Sequence, residues 1–273
     1  MHKKNRIDIA QNTLKIIKNG FYFLNNSKVD VSEQIKRNIE KTITISPDDW
    51  NVILLKPIKE STTTVEIELK NCTSIEAIVS EQNLKVGILN FASAKNPGGG
   101  FLGGASAQEE SLARSSSLYA SQLKDKIMYD FNRKNTSFLY SDYMIYSPET
   151  VFWFDDNGDY LKNFITVDVI TSPAPNKGAM HQHNRQDEIN NIEAEFSKRI
   201  EYTLHLANQH NIECLILGAW GCGVFRNEPS EVAQLFKKVI KEKYSNAFKK
   251  IIFAVYDTSE KKQIYRAFEE NFN

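Results

Sequence analysis

Very little in this chain points away from a reducing, aqueous setting. Among 273 residues there are three cysteines, Cys72, Cys214 and Cys222. They are odd in number and form no CxxC pair, so a disulfide framework is not expected. No apolar run approaches the length needed to span a membrane. The charged start, Met1-His-Lys-Lys-Asn-Arg, is followed by no apolar stretch of the signal-peptide kind. Net charge is absent too: 34 Lys and Arg face 34 Asp and Glu. That balance argues against a broad nucleic-acid-binding or membrane-binding surface. There is no internal repeat, linker or low-complexity segment. The expectation is a cytoplasmic, monomeric protein, and 273 residues are enough to bury a sizeable core.

Apolar spacing sets out an alternation of strands and helices. Residues 8–19 and 32–44 carry apolar side chains at helical spacing (Ile9, Leu14, Ile17; Ile35, Ile39, Ile43), with Asp30 and Ser32 as N-cap candidates. Residues 1–48 therefore read as a helical extension packed on a main domain at 49–273. In that domain, 51–55 and 65–69 read as short strands and 73–81 as a capped helix. Residues 86–91 are almost continuously apolar, as in a strand covered on both faces. A helix is predicted at 108–123. Residues 124–164 hold aromatic strand-like pieces at 143–146 and 151–154 and a turn at Asp155-Asp-Asn-Gly158. Strands at 164–171, 212–217 and 250–255 and helices at 186–208, 229–244 and 259–270 complete the pattern. It predicts an α/β fold, a sheet between helices, with any ligand beyond the carboxyl ends of the strands.

Two stretches carry the chemistry. Five glycines crowd Gly98-Gly-Gly-Phe-Leu-Gly-Gly104, between the strand at 86–91 and a helix opening Gln108-Glu-Glu110. The second loop is Gly218-Ala-Trp-Gly-Cys-Gly-Val-Phe-Arg-Asn227, also between a strand and a helix. Backbone amides there, beside a helix start, can cradle a diphosphate; a ligand-free turn fits the glycines equally well. The loop is neither G-x-x-x-x-G-K-[ST] nor G-x-G-x-x-G, so a P-loop or dinucleotide fold is unsupported. The glutamates have two readings as well. Ser106-Ala-Gln-Glu109 fits a capping box, and glutamates suit a first helical turn. Alternatively, one carboxylic acid protonates a leaving oxygen while its neighbour orients a sugar. A helix start lowers a glutamate pKa, whereas a general acid needs it raised, so water exclusion by a bound substrate would have to restore it. The residues alone leave both readings open.

Other candidates are weaker. His181-Gln-His183 lacks a third ligand of suitable spacing, so no metal is expected. Cys222 has no histidine beside it in sequence and reads as packing. Trp220, Phe225, Phe91 and Tyr256 read as core aromatics near strand ends, one or two of which can flank a base.

The motif Gly98-Gly-Gly100, seven residues, Gln108-Glu-Glu110 resembles the signature of the poly(ADP-ribose) glycohydrolases. The bacterial-type branch is closer still in Leu89-Asn-Phe-Ala-Ser-Ala-Lys-Asn-Pro-Gly-Gly-Gly100, Thr171-Ser-Pro-Ala-Pro-Asn176 and the loop at 218–227. The resemblance covers residues 50–257. It implies a macrodomain, a mixed sheet between helices that binds ADP-ribose, and exo-type hydrolysis of the ribose–ribose bond with neither metal nor cofactor. It implies Glu110 as general acid and then base, Glu109 on the ribose hydroxyls, and Gln108 in support. Gly98, Gly99 and Gly100 would shape the catalytic loop, with Asn96 on the ribose. Gly221, Gly223, Val224 and Phe225 would hold the diphosphate, with Phe225 over the ribose and Tyr256 near the adenine. The partner it implies is ADP-ribose polymer or an ADP-ribosylated macromolecule. Hydrolysis of mono-ADP-ribose, or binding without catalysis, are the alternative functions.

Overall fold

The computed structural model describes residues 1–81 and 83–272. Helix α1 (Lys3–Asn19) ends at Gly20, whose φ of +76° lets its N–H return to Ile16 O. A hairpin follows, β1 (Phe21–Leu24) and β2 (Ser27–Asp30). It turns on Asn25 and Asn26, both at positive φ, a conformation asparagine tolerates. The 1–48 stretch is thus not wholly helical. Next comes α2 (Ser32–Lys41), then β3 (Ile43–Ile45), an edge strand of the main sheet. Asp30 Oδ1 accepts the first amide of α2, from Ser32, at 3.0 Å, so Asp30 rather than Ser32 serves that helix start. Helix α3 (Trp50–Ile53) stands where the sequence reads as strand. A run of five residues does not distinguish a period of 2 from one of 3.6, and Asp49 turns the chain there by accepting the Ser46 N–H.

β4 (Glu66–Lys70) leads to α4 (Ser74–Ser80), opened by a capping box between Thr73 and Glu76. β5 (Val86–Phe91) has the bounds of the apolar run. After the glycine loop come α5 (Gln108–Ser115), α6 (Leu118–Gln122) and α7 (Ile127–Lys134). The single helix expected over 108–123 breaks at Ser116, whose extended backbone bridges to Phe152. β6 (Met144–Phe154) and β7 (Tyr160–Ser172) form a long hairpin. Then follow α8 (Lys177–Gln182), α9 (Gln186–Gln209), β8 (Cys214–Leu217), α10 (Pro229–Lys243), β9 (Lys250–Ala254) and α11 (Gln263–Phe272).

Seven strands form one mixed sheet in the order β3-β6-β7-β5-β8-β9-β4. From β7 to β4 every pairing is parallel, and β6 and β3 pair antiparallel at one edge. Alternate residues of each strand supply two cores. Leu89, Ile170, Leu215, Leu217, Ile251 and Phe253 meet α9 and α10, through Ile200, Leu204 and Phe236. Ile88, Val169, Ile216 and Ile252 meet α4 and α5, through Ile75, Ile78 and Leu112. The sheet is therefore buried between helices on both faces, as its continuous apolar strands require. The N-terminal elements pack elsewhere, on Val151, Trp153 and Phe154 of β6. α1 also reaches the glycine loop, where Ala10 packs with Phe101 and Ala113. No helix among the described residues is long and apolar enough to cross a membrane. The carboxyl ends of β5, β7, β8 and β9 share one rim, and both glycine loops leave from it.

Candidate active site

The first loop folds back so that its glycines lie against the start of α5. Gly98 and Gly99 have φ of +65° and +58°, and Gly99 N–H closes a turn onto Asn96 O at 3.0 Å. A Cβ on Gly99 would stand 2.3 Å from Glu110 Oε1 and 3.2 Å from Glu109 Oε2, so both carboxyl groups pack against the Gly99 backbone at a distance that only glycine permits. A 3₁₀ turn, Phe101–Gly103, and the amide of Ala105 returning to Gly100 O complete the loop. Asn96 is exposed at its edge.

The three residues that open α5 have separate jobs. Gln108 points into the sheet: its Oε1 accepts Phe91 N–H at 2.9 Å and its Nε2 donates to Leu89 O at 2.9 Å, fixing the helix start to β5. Glu110 is half-buried, and Oε1 accepts Gly100 N–H at 2.9 Å while Oε2 accepts Ala107 N–H at 3.1 Å. The backbone-directed half of the capping box therefore runs from Glu110 to Ala107. This corrects the Ser106–Glu109 register read from sequence, and it frees Glu109. The required partner is only an N–H, which alanine supplies as well as serine.

Glu109 is 2% exposed. Its Oε1 accepts from Asn90 Nδ2 and Gln122 Nε2, each at 3.1 Å, and its Oε2 accepts Ser93 N–H at 2.6 Å. Burial pushes its pKa up from 4.5 to about 8 against the pull of those three donors, and the Glu110 charge adds to the rise. Exclusion from water thus raises a carboxyl at a helix start without any ligand. The rise has a consequence for stability. The native state holds a proton on Glu109 up to about pH 8, while the unfolded chain releases it near 4.5. The group's contribution is full below 4.5 and is lost as pH climbs through 8, on the order of a few kcal/mol. Thermal unfolding of Glu109→Gln against wild type should show the variant gaining in relative stability from pH 5 to pH 8.5. Parallel pH profiles would contradict a raised Glu109.

The second loop is held at both ends. Trp220, fully buried, donates from Nε1 to Ser172 O at 3.2 Å. Asn227 Nδ2 donates to Pro175 O at 2.8 Å and Gly221 O at 3.0 Å. Between these anchors, the N–H groups of Gly221, Gly223, Val224 and Phe225 donate to no protein acceptor among the described residues. Nothing lies within 4 Å of where a Gly223 Cβ would be, and Val224 is 82% exposed. Open amides grouped in this way are able to cradle an anion. Cys222 is buried with its thiol pushed up in pKa by desolvation, in keeping with packing. Tyr256 is 62% exposed on the same rim, just before Asp257, which accepts the Ile264 N–H at 2.9 Å. His183 stacks on Phe138, and no group of three His, Cys, Asp or Glu fit to hold a metal occurs among the described residues.

Several participants escape a reading of sequence. Asn90 had a signal, a polar residue inside a buried apolar strand. Gln122 and Ser93 had none. Tyr140, at φ +60°, sets its ring 6.0 Å from that of Phe225, and its backbone oxygen accepts from the fully buried Arg199 at 3.0 Å.

Residues 10–155 match the family model described as microbial-type PARG, catalytic domain. No curated protein sequence matches the chain. Among solved structures, poly(ADP-ribose) glycohydrolase from Thermomonospora curvata superposes with a TM-score of 0.91 at 35% identity, over 98% of this chain and 99% of that one. The same enzyme bound to the inhibitor ADP-HPD gives 0.89 at 34% identity over the same shares. The Deinococcus radiodurans enzyme in complex with ADP-ribose gives 0.83 at 35% identity, over 88% of this chain and 97% of that one.

Proposed function

Because the chain belongs to the microbial-type poly(ADP-ribose) glycohydrolase family, we propose that it is a glycosidase that removes ADP-ribose from the end of the polymer. The bond cleaved is the ribose–ribose O-glycosidic bond. The observation that carries this reading is that the Glu109 and Glu110 carboxyl groups lie together against Gly99, on the rim that also holds the free amides of the second loop.

In this reading the diphosphate lies against the amides of Gly221, Gly223, Val224 and Phe225, with the Phe225 ring over the terminal ribose and Tyr256 beside the adenine. Gly98, Gly99 and Gly100 wall the ribose, and Asn96 touches it. Glu109, neutral at physiological pH, hydrogen-bonds ribose hydroxyls and orients the sugar. Gln108 keeps the helix start in place. Glu110 gives its proton to the leaving ribose oxygen as the C–O bond breaks. The resulting carboxylate then takes a proton from the water that attacks the anomeric carbon, and the acid is regenerated. The chemistry runs on carboxyl groups and calls for no metal or cofactor. Residues 49–273 carry the substrate and residues 1–48 brace them. The three free cysteines suit a reducing cytoplasm.

Purified protein incubated with polymer of defined length should release free ADP-ribose, read by chromatography. Failure to release it overturns the proposal. Release only from mono-ADP-ribosylated protein would favour the neighbouring reaction, and calorimetric binding of ADP-ribose without turnover would favour a binding module.

A further inference from the structure

Two arginines from different helices hold consecutive carbonyls of the catalytic loop. Arg6 of α1 donates from Nε to Gly104 O at 2.8 Å, and Arg114 of α5 donates from Nη1 to Ala105 O at 2.7 Å. Arg114 is 4% exposed, and its own backbone oxygen accepts from Thr13 of α1. At Gly104, φ is +75° and a Cβ would stand 2.9 Å from Lys3 O, so the loop lies directly on the first turn of α1. Phe101, buried, packs with Ala10 of the same helix. From the clamped residues the path to the chemistry is short. Ala105 N–H and Gly103 N–H both return to Gly100 O, at 3.2 and 3.0 Å, and Gly100 N–H holds Glu110 Oε1 at 2.9 Å.

We propose that Arg6 is a positioning residue for the hydrolysis: by holding Gly104 O it sets the loop whose Gly100 amide aligns the Glu110 carboxyl. The inference rests on the reading of Glu110 as the proton donor. It gives α1 a part in the reaction although no atom of that helix need touch substrate. No residue of the clamp belongs to the loop at 218–227, so the clamp should act on the chemical step and not on the grip of the diphosphate.

The test compares wild type, Arg6→Ala and Arg6→Lys, each assayed well below its own unfolding temperature. Arg6→Ala should lower kcat by about 10- to 100-fold, the usual cost of a displaced catalytic group. Its Kd for ADP-ribose should stay within about threefold, under 1 kcal/mol. Arg6→Lys, which can still reach a carbonyl with a cation, should recover part of the rate. Hydrogen exchange over residues 98–107 should quicken in Arg6→Ala. A lower unfolding temperature with unchanged kcat and unchanged exchange would make Arg6 a structural brace and overturn the proposal, as would equal losses in kcat and ADP-ribose affinity. If wild type turns over no polymer, the proposed function fails, and the exchange measurement still decides whether Arg6 orders the loop.

Discussion

Glu110→Gln is expected to slow the release of ADP-ribose by about 10²–10⁴-fold with the fold intact. Glutamine keeps the size of the side chain but has no proton to give. Its oxygen can still accept Gly100 N–H, now at 2.9 Å from Glu110 Oε1. Its NH₂ group, however, would face Ala107 N–H, where Oε2 now accepts at 3.1 Å. Losing that half of the cap should cost about 1 kcal/mol of stability. The two effects separate by measurement: single-turnover kinetics for the proton transfer, thermal unfolding for the cap. A variant retaining a tenth or more of the wild-type rate would remove Glu110 from the role of acid. A plain capping glutamate would give only the stability loss.

Gly221→Ala should reduce affinity for ADP-ribose at least tenfold, about 1.4 kcal/mol. Gly221 has φ of +75°, which costs roughly 1–2 kcal/mol for a residue with a Cβ. The added carbon would also lie 2.4 Å from Asn227 Nδ2 and 2.7 Å from Ala174 Cβ. Asn227 must then move, and both of its bonds, to Pro175 O and Gly221 O, go with it. Gly223→Ala is the informative partner. Nothing stands within 4 Å of its missing Cβ, so the fold should tolerate it. The methyl would occupy space assigned to the diphosphate. Calorimetry should show weakened ADP-ribose binding in both variants, with a lowered unfolding temperature in Gly221→Ala alone. Wild-type affinity in both would place the diphosphate elsewhere.

How much of this was legible depended on the kind of signal. β5 could be read to the residue because both of its faces are buried and almost nothing polar interrupts it. The two glycine loops were legible because their backbones need positive φ and close approach. The Asn25-Asn26 hairpin does not show in the apolar spacing, although its turn residues stand in view. α3 is not legible because a five-residue stretch of mixed apolar character has no clear period. The environment of Glu109 was illegible for another reason. Its donors come from Asn90, Ser93 and Gln122, which meet only through the fold. The sequence places the two glutamates side by side, but only burial makes one a neutral carboxyl and leaves the other tied to two amides.

The grip of α1 on the catalytic loop bears on how the chain is made. Arg6 meets Gly104 across 98 positions, Thr13 meets Arg114 across 101, and in α2 Asn38 meets Pro148 across 110. Helix α1 is made before the segments it packs on, and it waits for them through about 5–20 s of synthesis at ordinary rates. During that wait Ala10 and Leu14 lack Phe101, Ala113 and Tyr119, the residues they pack with in the folded protein. Closing so long a loop costs entropy that grows only with the logarithm of its length, so the delay is one of timing rather than of final stability. Every parallel pairing of the sheet needs β7, β8 or β9, which follow those partners in the chain, so the helix can meet its loop before the sheet closes. The frame around Glu110 thus joins segments made far apart in time, the helix well before the loop it braces.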